Sequence, residues 1–449
     1  MQTVILAGGT GRRVFPLAGT KPKPMFEILG KPLIQRVIET IKEAGLRDFL
    51  VVIGHKGEQI KDYLADGRAL GVNIEYAVQR EALGMADALE SARDLVEDSF
   101  LLVNADDVFE NSLIRRMIKK FKENSAEIIL SCKPVEETWK FGIIRRKNDR
   151  VTDLVEKPPK GQELSNLAVI GIYIMTKRIF DYYKKVPLSD AQHEEAIQRF
   201  IQDKNIVGAI DYDGFFTGYK YPWDLFVINE YFMNAMIKEE IIEEGVDISD
   251  RARVEGRVWI RKGTRILPGT CINGPAYIGP NTIIGNNCLV RDYSSIGKNC
   301  VVGFSSEIKR SLVGHNCYFH MNFVGDSIVS DGCMFGAGTI TANMRFDQKT
   351  VGLKVDGKNV DSGRKKLGAI VGDNCRTGVN ACLAPGVRIG PYSIVGAGVS
   401  LQTDLEPGKI VFQKNESLVT RENELTVSLD ERKRLEETII KYERNSRVR

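Results

Sequence analysis

Aliphatic residues recur at a six-residue interval through much of the second half of the chain. The unbroken series is Ile248, Val254, Ile260, Ile266, Ile272, Ile278, Ile284, Val290, Ile296, Val302 and Ile308. Four residues after each of eight consecutive members there is a small residue, in the order Thr264, Thr270, Ala276, Thr282, Cys288, Ser294, Cys300 and Ser306. Hexapeptide repeats of this kind form parallel β-helices, in which each coil is a triangle of three short strands. The pattern therefore predicts a left-handed parallel β-helix over residues 247–405.

The same register slips by one residue at Val313 and Phe319 and is interrupted over residues 339–367. It resumes with the series Val371, Thr377, Leu383, Ile389, Val395 and Leu401. Residues 343–368, NMRFDQKTVGLKVDGKNVDSGRKKLG, are therefore predicted to form a loop that leaves the coil. Long excursions from a rigid scaffold often carry function.

Five of the eight cysteines take the small-residue position of this register. They are Cys288, Cys300, Cys317, Cys333 and Cys375. The placement predicts a structural role, because a tight corner favours a small and weakly polar side chain. No two of the eight form a CxxC pair, so neither a zinc ribbon nor a redox motif is expected.

Residues 1 to about 230 follow a different pattern, in which short β-type runs alternate with helical stretches. We predict strands at 3–8, 48–55, 73–79, 99–106 and 126–133, and helices at 32–45 and 112–124. Such alternation is typical of a Rossmann-like α/β domain with a mostly parallel sheet. We divide the chain into this domain at 1–235, a linker at 236–246, the β-helix at 247–405, and an extension at 406–449 that contains an amphipathic helix near its end.

Charge and composition limit the possible partners. The chain has 63 Lys and Arg against 59 Asp and Glu, a net charge of +4, without a long basic block, which argues against nucleic-acid binding. No apolar run approaches the roughly 18 residues of a membrane span. The first residues, MQTVILAGGTG, lack the layout of a secretion signal, so a cytoplasmic location is expected.

The N-terminal sequence LAGGTGRRVFPLAGTKPKPM places a strand, a glycine-rich turn and a basic stretch in succession. Gly8, Gly9 and Gly11 would let the backbone approach a phosphate chain and direct N–H groups at it. Arg13 and Lys23 supply charge that can neutralise phosphates. A glycine-rich turn alone is weak evidence for a nucleotide site, and the turn with both cations is more specific.

These residues, with GKPL at 30–33, resemble the signature of the sugar-1-phosphate nucleotidylyltransferase family, and the resemblance extends over residues 1–235. It implies that Gln79 and Gly84 bind the nucleotide, UTP or dTTP, and that Asp106 binds Mg²⁺. A carboxylate at the end of a hydrophobic strand is a suitable magnesium ligand.

The same resemblance implies a sugar-phosphate site built from the short segments FG, EKP and SNL. Its expected residues are Gly142, Glu156, Lys157 and Asn166. Glu156 and Asn166 would bond to sugar hydroxyls, and Lys157 would hold the phosphate. The family's reaction is an in-line attack of the sugar phosphate on the α-phosphorus of the triphosphate, so cations must offset the repulsion between two anions. We therefore expect Arg13 to face the leaving pyrophosphate and Lys23 the α-phosphate.

The chain departs from the family pattern at four positions near the nucleotide, namely Arg12, Met85, Ala105 and Gly218. The last is the most serious, because many relatives carry a second metal-binding aspartate where Gly218 stands. Asp224 is the nearest carboxylate in the sequence and is our candidate for that ligand. These departures leave open the alternative that the N-terminal domain keeps the family's fold but has weakened nucleotidyl-transfer activity.

Two segments of the β-helix, FHMNFVGDS at 319–327 and FGAGTITANMRFD at 335–347, resemble the acetyltransferase half of bacterial bifunctional N-acetylglucosamine-1-phosphate uridylyltransferases and, more closely, their archaeal counterparts. The resemblance implies that His320 is the general base that takes a proton from the amino group of glucosamine 1-phosphate. Imidazole suits this task because its ordinary pKa of about 6.5 lies near working pH. The remaining histidines are expected to be ordinary surface or core residues: His55, His193 and His315.

Three other residues complete the expected acetyl-acceptor site. Asn343 would orient the substrate amine or stabilise the oxyanion, and Lys309 and Lys366 would hold the sugar phosphate. Phe323 stands where many relatives carry tyrosine, so a hydroxyl contact to the phosphate is missing here.

Acetyl-CoA, the second substrate, is expected to lie along the edge of the coil near Ala397. Either Arg376 or Arg388 would meet its phosphates, although both could equally be solvated corner residues. Because acceptor and coenzyme sites in this architecture usually lie between neighbouring coils, we expect three β-helices to pack side by side as a homotrimer.

The sequence thus predicts a bifunctional enzyme that acetylates an amino-sugar 1-phosphate and transfers a nucleotidyl group to a sugar 1-phosphate. Two alternatives stay open. One is a monofunctional nucleotidylyltransferase whose β-helix is only structural, but such a protein would not need His320 together with Asn343. A scaffold that resembles the regulatory exchange-factor subunits of eukaryotic translation initiation would not need Arg13, Lys23 and Asp106.

Overall fold

The computed structural model of the protein describes residues 1–123 and 125–413. Residues 1–412 form one compact unit that contains two kinds of architecture. The amphipathic helix expected near the end of the chain lies outside the described residues. Within the described ranges, no helix is both long and apolar enough to cross a membrane.

A nine-stranded sheet forms the centre of the first architecture. Its strands lie side by side in the order Asn73–Val78, Asp48–Ile53, Gln2–Ala7, Ser99–Asn104, Leu167–Thr176, Ile128–Pro134, Val207–Asp211, Arg150–Glu156 and Gly142–Lys147. The first four strands are parallel, as the alternating pattern predicts. Beyond them the sheet is mixed, because Leu167–Thr176 runs antiparallel to both of its neighbours.

Helices cover both faces of this sheet. Among the described residues they are α1 (Leu33–Glu43), α2 (Glu58–Leu64), α3 (Met85–Glu90), α4 (Asn111–Glu123), α5 (Ile179–Tyr183), α6 (Gln192–Gln202) and α7 (Asp224–Met236). Helix α1 buries Ile34, Ile38 and Ile41, which the helical repeat places on one face. Two antiparallel pairs of short strands lie outside the sheet, namely Glu27–Ile28 with Lys31–Pro32 and Asp107–Phe109 with Phe216–Gly218.

The second architecture is the predicted hexapeptide β-helix, whose three faces are parallel sheets of eight, nine and eight strands. The first face contains Ile241–Ile242, Val258–Ile260, Ala276–Ile278, Ser294–Ile296, Leu312–Val313, Ile328–Val329, Ile370–Val371 and Arg388–Ile389. The second contains Asp247–Ile248, Arg265–Ile266, Ile283–Ile284, Val301–Val302, Tyr318–Phe319, Met334–Phe335, Arg376–Thr377, Ile394–Val395 and Ile410–Val411. The third contains Arg253–Glu255, Cys271–Asn273, Leu289–Val290, Glu307–Lys309, Phe323–Gly325, Ile340–Thr341, Cys382–Leu383 and Ser400–Leu401.

The six-residue register describes the interior of these coils. The stacked aliphatics from Ile260 to Ile308 are buried, and so are the small residues between them. The Thr264 hydroxyl donates to the Gly279 carbonyl at 2.9 Å, and the Cys300 thiol does the same to Gly314 at 3.1 Å. Cysteine and threonine therefore have the same structural role here, and all eight cysteines are free thiols.

The segment predicted to leave the coil does so, and it contains an antiparallel hairpin of Gly352–Val355 with Lys358–Asp361. Period-two alternation buries Val351, Leu353 and Val355 on one side of the hairpin. The turn at its tip begins with Asp356.

The two architectures share one hydrophobic core. Phe26, Trp223 and Phe226 of the first part lie in the same buried cluster as Tyr277 of the coil and Leu353 of the hairpin. The Arg364 guanidinium, at the end of the hairpin segment, also lies 4.6 Å from the Phe226 ring.

Candidate functional sites

A cleft of about 560 Å³ opens at the carboxyl end of strand Gln2–Ala7. It brings together eight of the residues predicted for nucleotidyl transfer: Gly8, Gly9, Gly11, Arg13, Lys23, Gln79, Gly84 and Asp106. Its wall also includes three charged residues that the sequence did not identify, Asp190, Lys220 and Asp356. Asp356 comes from the tip of the β-helix hairpin, so both architectures line the cleft.

The glycine-rich turn lies directly against the residue expected to contact the nucleotide. A Cβ on Gly8 would come 2.4 Å from Oε1 of Gln79, so only glycine fits there unless that amide moves. Gln79 is itself held, because its Nε2 donates to Asp87 Oδ2 at 2.8 Å and to the Gly84 carbonyl at 3.2 Å. The amide therefore presents a fixed orientation beside the turn.

Lys23 and Asp106 face each other across the cleft floor, with Lys23 Nζ in contact with Asp106 Oδ2. Lys23 Nζ also lies 5.2 Å from the ring of Tyr219, which limits the directions it can take. Asp106 offers hard oxygen donors in the cleft, and Mg²⁺ commonly binds to one or two carboxylates plus substrate phosphates. Within the described residues there is no cluster of three or more carboxylate, histidine or cysteine ligands.

The space beside Asp106 that Gly218 leaves open is filled by Asp107. A Cβ on Gly218 would come 2.8 Å from Asp107 Oδ1, and Asn104 Nδ2 donates to the other oxygen at 2.8 Å. Burial, and then the charge of Asp106, raise the pKa of Asp107. Position 107 was overlooked because it follows the family's aspartate and matches no further motif.

Asp224, which the sequence suggested as the second metal ligand, forms hydrogen bonds with the backbone of its own segment. Its Oδ2 accepts the backbone N–H groups of Lys220 and Tyr221, each at 2.7 Å, immediately before helix α7 begins. Burial raises the pKa of Asp224 despite these two bonds. Lys220 lines the cleft, whereas neither Asp224 nor Asp107 does.

Lys220 is a further cation in the cleft, beside Arg12, Arg13 and Lys23. Its Nζ lies 5.0 Å from the Phe141 ring, at the start of the segment predicted to bind sugar. Burial lowers the pKa of Lys220, and Arg13 contributes to the same shift, while Asp107 opposes it. Lys220 therefore lies between the cleft and the segment predicted to bind sugar.

Three of the four predicted sugar residues meet at the edge of the sheet. Gly142 pairs directly with Glu156, and the Lys157 Nζ lies 3.0 Å from Glu156 Oε1. Asn166 stands apart, exposed ahead of strand Leu167–Thr176, where its carbonyl accepts the Val135 N–H at 2.9 Å. A second acidic residue, Glu194, lies near Glu156, and no sequence motif predicted it.

Glu194 lies on helix α6, which packs against strand Arg150–Glu156 through a 2.7 Å bond from Gln198 Nε2 to Asp153 Oδ1. Burial, and then the charge of Glu156, raise the pKa of Glu194 to about 7. Its neighbour His193 is buried, with its Nδ1 2.8 Å from the Tyr183 hydroxyl oxygen, and burial lowers its pKa to about 3.

His320 stands at an exposed corner of the β-helix, directly after strand Tyr318–Phe319. The corner is rigid because the His320 N–H donates to Asn322 Oδ1 at 2.7 Å. The Asn322 amide in turn donates to the carbonyls of Gly336 and Thr339 in the next coil. The imidazole itself is therefore held on a fixed backbone and is open to a ligand.

Lys309 and Asn343 meet at a residue to which the sequence assigned no role. Asp326 is buried, and its Oδ2 accepts Lys309 Nζ at 2.9 Å and Asn343 Nδ2 at 2.6 Å. Asp326 belongs to the GD pair of the resembling segment, which was the available signal. Lys366 is exposed nearby, since the next residue, Leu367, bonds through its N–H to the Asn343 carbonyl at 2.9 Å.

The predicted coenzyme residues share the second face with His320. In successive coils of this face, Phe319 pairs with Phe335, Phe335 pairs with Thr377, and Thr377 pairs with Val395. Ala397 follows Val395, so it stands three coils from the His320 corner, about 14 Å at the usual strand spacing. Arg376 is exposed between them.

Arg388, the alternative to Arg376, is already engaged elsewhere. Its Nε donates to Asp404 Oδ2 at 3.0 Å, and its guanidinium lies 5.6 Å from the ring of Phe15 in the first architecture. Of the two arginines, Arg376 is therefore the one that can meet a ligand.

Two protein-family models match the chain. Residues 2–231 match the nucleotidyl transferase family. Residues 257–292, 275–310 and 368–402 match the bacterial transferase hexapeptide family of six repeats.

Several curated proteins resemble the chain over nearly its whole length. The bifunctional protein GlmU of Methanococcus maripaludis (strain C7) is 37% identical over 94% of this chain and 99% of that protein. The bifunctional protein GlmU of Methanocaldococcus jannaschii is 33% identical over 93% and 98%. A bifunctional sugar-1-phosphate nucleotidylyltransferase/acetyltransferase of Sulfurisphaera tokodaii is 32% identical over 91% and 99%.

The position of Asp107 generates a prediction for Gly218. We expect Gly218→Asp to lower both the melting temperature and cleft activity, because the new side chain would meet a buried carboxylate. Removing that carboxylate in the double variant Asp107→Ala/Gly218→Asp should restore part of the loss. Pyrophosphate release is measured against Mg²⁺ concentration, and Gly218→Asp alone lowering the Mg²⁺ requirement would contradict this account.

The raised pKa of Glu194 predicts a pH-dependent stability. Between pH of about 4.5 and 7 the folded protein binds a proton at Glu194 that the unfolded chain has lost, so its contribution to stability falls as pH rises through that window. Glu194→Gln should therefore raise the melting temperature at pH 8 and change it little at pH 5. Glu195→Gln, on the same helix, should give a smaller difference between the two pH values, and an equal difference for both variants would reject the assignment.

Proposed function

The chain belongs to the bifunctional sugar-1-phosphate nucleotidylyltransferase/acetyltransferase family, and we propose that it acetylates glucosamine 1-phosphate with acetyl-CoA and transfers a nucleotidyl group from UTP or dTTP to a sugar 1-phosphate. We assign nucleotidyl transfer to residues 1–235 and acetyl transfer to residues 247–405. Residues 236–246, proposed as the linker, already include the first strand of the β-helix, Ile241–Ile242, and the region 406–449, proposed as the extension, includes its strand Ile410–Val411.

One observation supports both activities, namely that each half of the chain gathers its own set of reactive side chains. Arg13, Lys23 and Asp106 line one cleft, while Lys309 and Asn343 meet at Asp326 in the coil. A β-helix with only a structural role would not need the reactive residues of the coil. A regulatory subunit would not need the reactive residues of the cleft. The two sites therefore favour a bifunctional enzyme over either alternative.

In nucleotidyl transfer, a phosphate oxygen of the sugar phosphate attacks the α-phosphorus, and the bond to the leaving pyrophosphate breaks. We assign Lys23 to the α-phosphate and Arg13 to the leaving pyrophosphate, with Gly8, Gly9 and Gly11 around the phosphate chain. Lys220 adds charge on the sugar side of the cleft. Fixed cations stabilise the charge that accumulates on the phosphoryl oxygens in the transition state.

Asp106 would hold Mg²⁺, which neutralises phosphate charge when it is bound. Asp107 fills the space of the aspartate that Gly218 lacks, and we propose it as the second carboxylate of the site in place of Asp224, whose Oδ2 is already held by two backbone N–H groups. Gln79 and Gly84 would bind the base, because they form the wall beside the glycine-rich turn. Gly142, Glu156, Lys157 and Asn166 would bind the sugar phosphate.

In acetyl transfer, the amine nitrogen of the sugar attacks the thioester carbonyl, and the carbon–sulfur bond breaks. His320 would accept the proton that the nitrogen loses, and the thiolate leaves and takes up a proton to become CoA. Asn343 would orient the amine, since Asp326 fixes its amide. Lys366, with Lys309, would hold the sugar phosphate, and Arg376 and Ala397 would line the coenzyme path.

Apolar side chains are exposed around the His320 corner, namely Tyr318, Met321, Met334, Ile340 and Met344. An exposed apolar patch of this kind marks an interaction surface. We propose that three β-helices pack there as a homotrimer, with acetyl-CoA between neighbouring coils. Acetyl-CoA, the nucleoside triphosphate and the sugar phosphates are the expected partners, in the cytoplasm.

Nucleotidyl transfer tests the first activity. Lys23→Ala and Asp106→Ala should each lower pyrophosphate release at least about a hundredfold, because each removes a charge that the transition state needs. Acetyl transfer should stay within a few-fold of the wild type. Lys31→Ala, which breaks only the pair with Glu39, is the matched control. Full pyrophosphate release by either cleft variant would reject the assignment.

Acetyl transfer tests the second activity. His320→Ala should lower acetyl-CoA-dependent CoA release at least about a hundredfold, because a positioned proton acceptor is lost. Affinity for the sugar phosphate should fall only modestly, since the lysines hold the phosphate. His55→Ala, at an exposed position far along the chain, serves as the control.

CoA release and the melting temperature are measured on the same preparations between about pH 6 and 9. A His320→Ala variant with near-wild-type turnover would remove the β-helix from the chemistry. A loss of turnover that only follows a loss of folded protein would identify His320 as a structural residue.

A further inference from the structure

The two cations assigned to the triphosphate stand at the ends of one loop. Arg13 lies in the short helical turn Arg12–Val14, and Lys23 begins the next one, Lys23–Met25. Residues 15–22 between them are the sequence FPLAGTKP. The path of these eight residues therefore decides where both cations point.

The end of this loop is bound to the β-helix. Lys21 Nζ lies 2.6 Å from Asp331 Oδ2 and 3.7 Å from Asp373 Oδ1. The hydroxyl of Thr20 also bonds to Asp373 Oδ2. Two consecutive loop residues thus end on two carboxylates of the other architecture.

These carboxylates are oriented by the coil itself. Val329 pairs with Val371, so Asp331 and Asp373 stand at the same corner of successive coils. Asp331 Oδ1 accepts the His315 N–H at 2.8 Å, and Asp373 Oδ1 accepts the Asp331 N–H at 2.8 Å. The β-helix therefore presents a fixed pair of acceptors to the loop.

The surroundings favour the charged form of this ion pair, although Lys21 and Asp373 are mostly buried. Burial alone lowers the pKa of Lys21, but Asp331 and Asp373 outweigh burial and raise it. Burial alone raises the pKa of Asp331, but Lys21 outweighs burial and lowers it. Removing the cation would leave Asp373, with a side chain that is 6% exposed, without its countercharge.

Three further contacts follow the loop along the same corner of the coil. Gly19 lies so close to Pro391 that a Cβ there would come 2.4 Å from its Cγ. The ring of Phe15 lies 5.6 Å from the Arg388 guanidinium. Beyond Lys23, Glu27 Oε2 lies 2.9 Å from His315 Nε2. The stretch from 15 to 27 is therefore shaped against the β-helix.

We propose that the β-helix corner formed by Asp331 and Asp373 is part of the nucleotidyl-transfer site, where it acts through Lys21 to position Arg13 and Lys23. Lys21 does not line the cleft and is a positioning residue. It is two residues from Lys23, so the Cα atoms of the two lie within roughly 7 Å. A misplacement of about 1 Å in a catalytic group can lower turnover about a hundredfold. The inference rests on the proposed nucleotidyl transfer.

The test uses the full chain and compares Lys21→Met with Lys21→Arg. Lys21→Met should lower kcat for pyrophosphate release at least about tenfold, with a smaller change in KM for the triphosphate, because the loop is misplaced while the cleft walls stay. Lys21→Arg keeps the charge and should stay within a few-fold of the wild type. Asp331→Asn and Asp373→Asn should lower the same kcat, although both lie in the β-helix.

Acetyl transfer and the melting temperature report on folding in the same preparations, and Lys31→Met is the control because its pair with Glu39 lies within the first architecture. Should Lys21→Met fail to fold, Asp331→Asn decides, since that side chain is already 36% exposed. Wild-type kcat in Lys21→Met and both asparagine variants would overturn the inference alone. A wild-type protein that releases no pyrophosphate would instead overturn the proposed function.

Discussion

The backbone pairing between successive coils of the β-helix is the constraint on which both sites depend. Each strand bonds to the coil above and the coil below, so residues far apart in sequence form columns at a spacing of about 4.8 Å. One such column runs from the His320 corner to Ala397, along the proposed coenzyme path. Another places Asp331 beside Asp373, where the loop between Arg13 and Lys23 rests. A single stacking rule therefore sets geometry in two different chemistries.

Periodic features were predictable from the sequence, because each coil repeats the same packing problem. The aliphatic series from Ile260 to Ile308 and the small residues at the corners are buried as the register indicates. The glycine-rich turn and its cations were also found, since neighbours in sequence there remain neighbours in the cleft. The comparisons confirm the family to which both sets of motifs pointed.

Residues that act through tertiary contacts could not be predicted from the sequence. Asp107 became visible only when the strand pair Asp107–Phe109 with Phe216–Gly218 placed it in the space left by Gly218. Glu194 approaches Glu156 from a helix that no motif covers. The antiparallel strand Leu167–Thr176 was also missed, because the alternating pattern of strands and helices describes parallel neighbours well and inserted antiparallel strands poorly.

The expectation of two separate domains also needs qualification. Residues 1–412 form one compact unit, and a shared core joins Phe226 of α7 to Tyr277 of the coil. The chemistry of each reaction can stay local to its own residues while their placement does not. Buried contacts such as Lys21 with Asp373 tie the two parts more firmly than a flexible linker would.

The hairpin from the coil illustrates what this arrangement means for the history of the chain. The segment leaves the β-helix at Asn343 and returns at Lys366, both in the proposed acetyl-acceptor site, while Asp356 at its tip lines the nucleotide cleft. Adding or deleting a pair of residues in its strands would move the tip without moving the coil. Insertions in the gene segment that encodes the β-helix could thus change the nucleotidyl-transfer cleft. A chimera that takes its two halves from different relatives would combine a cleft with a hairpin that did not evolve beside it.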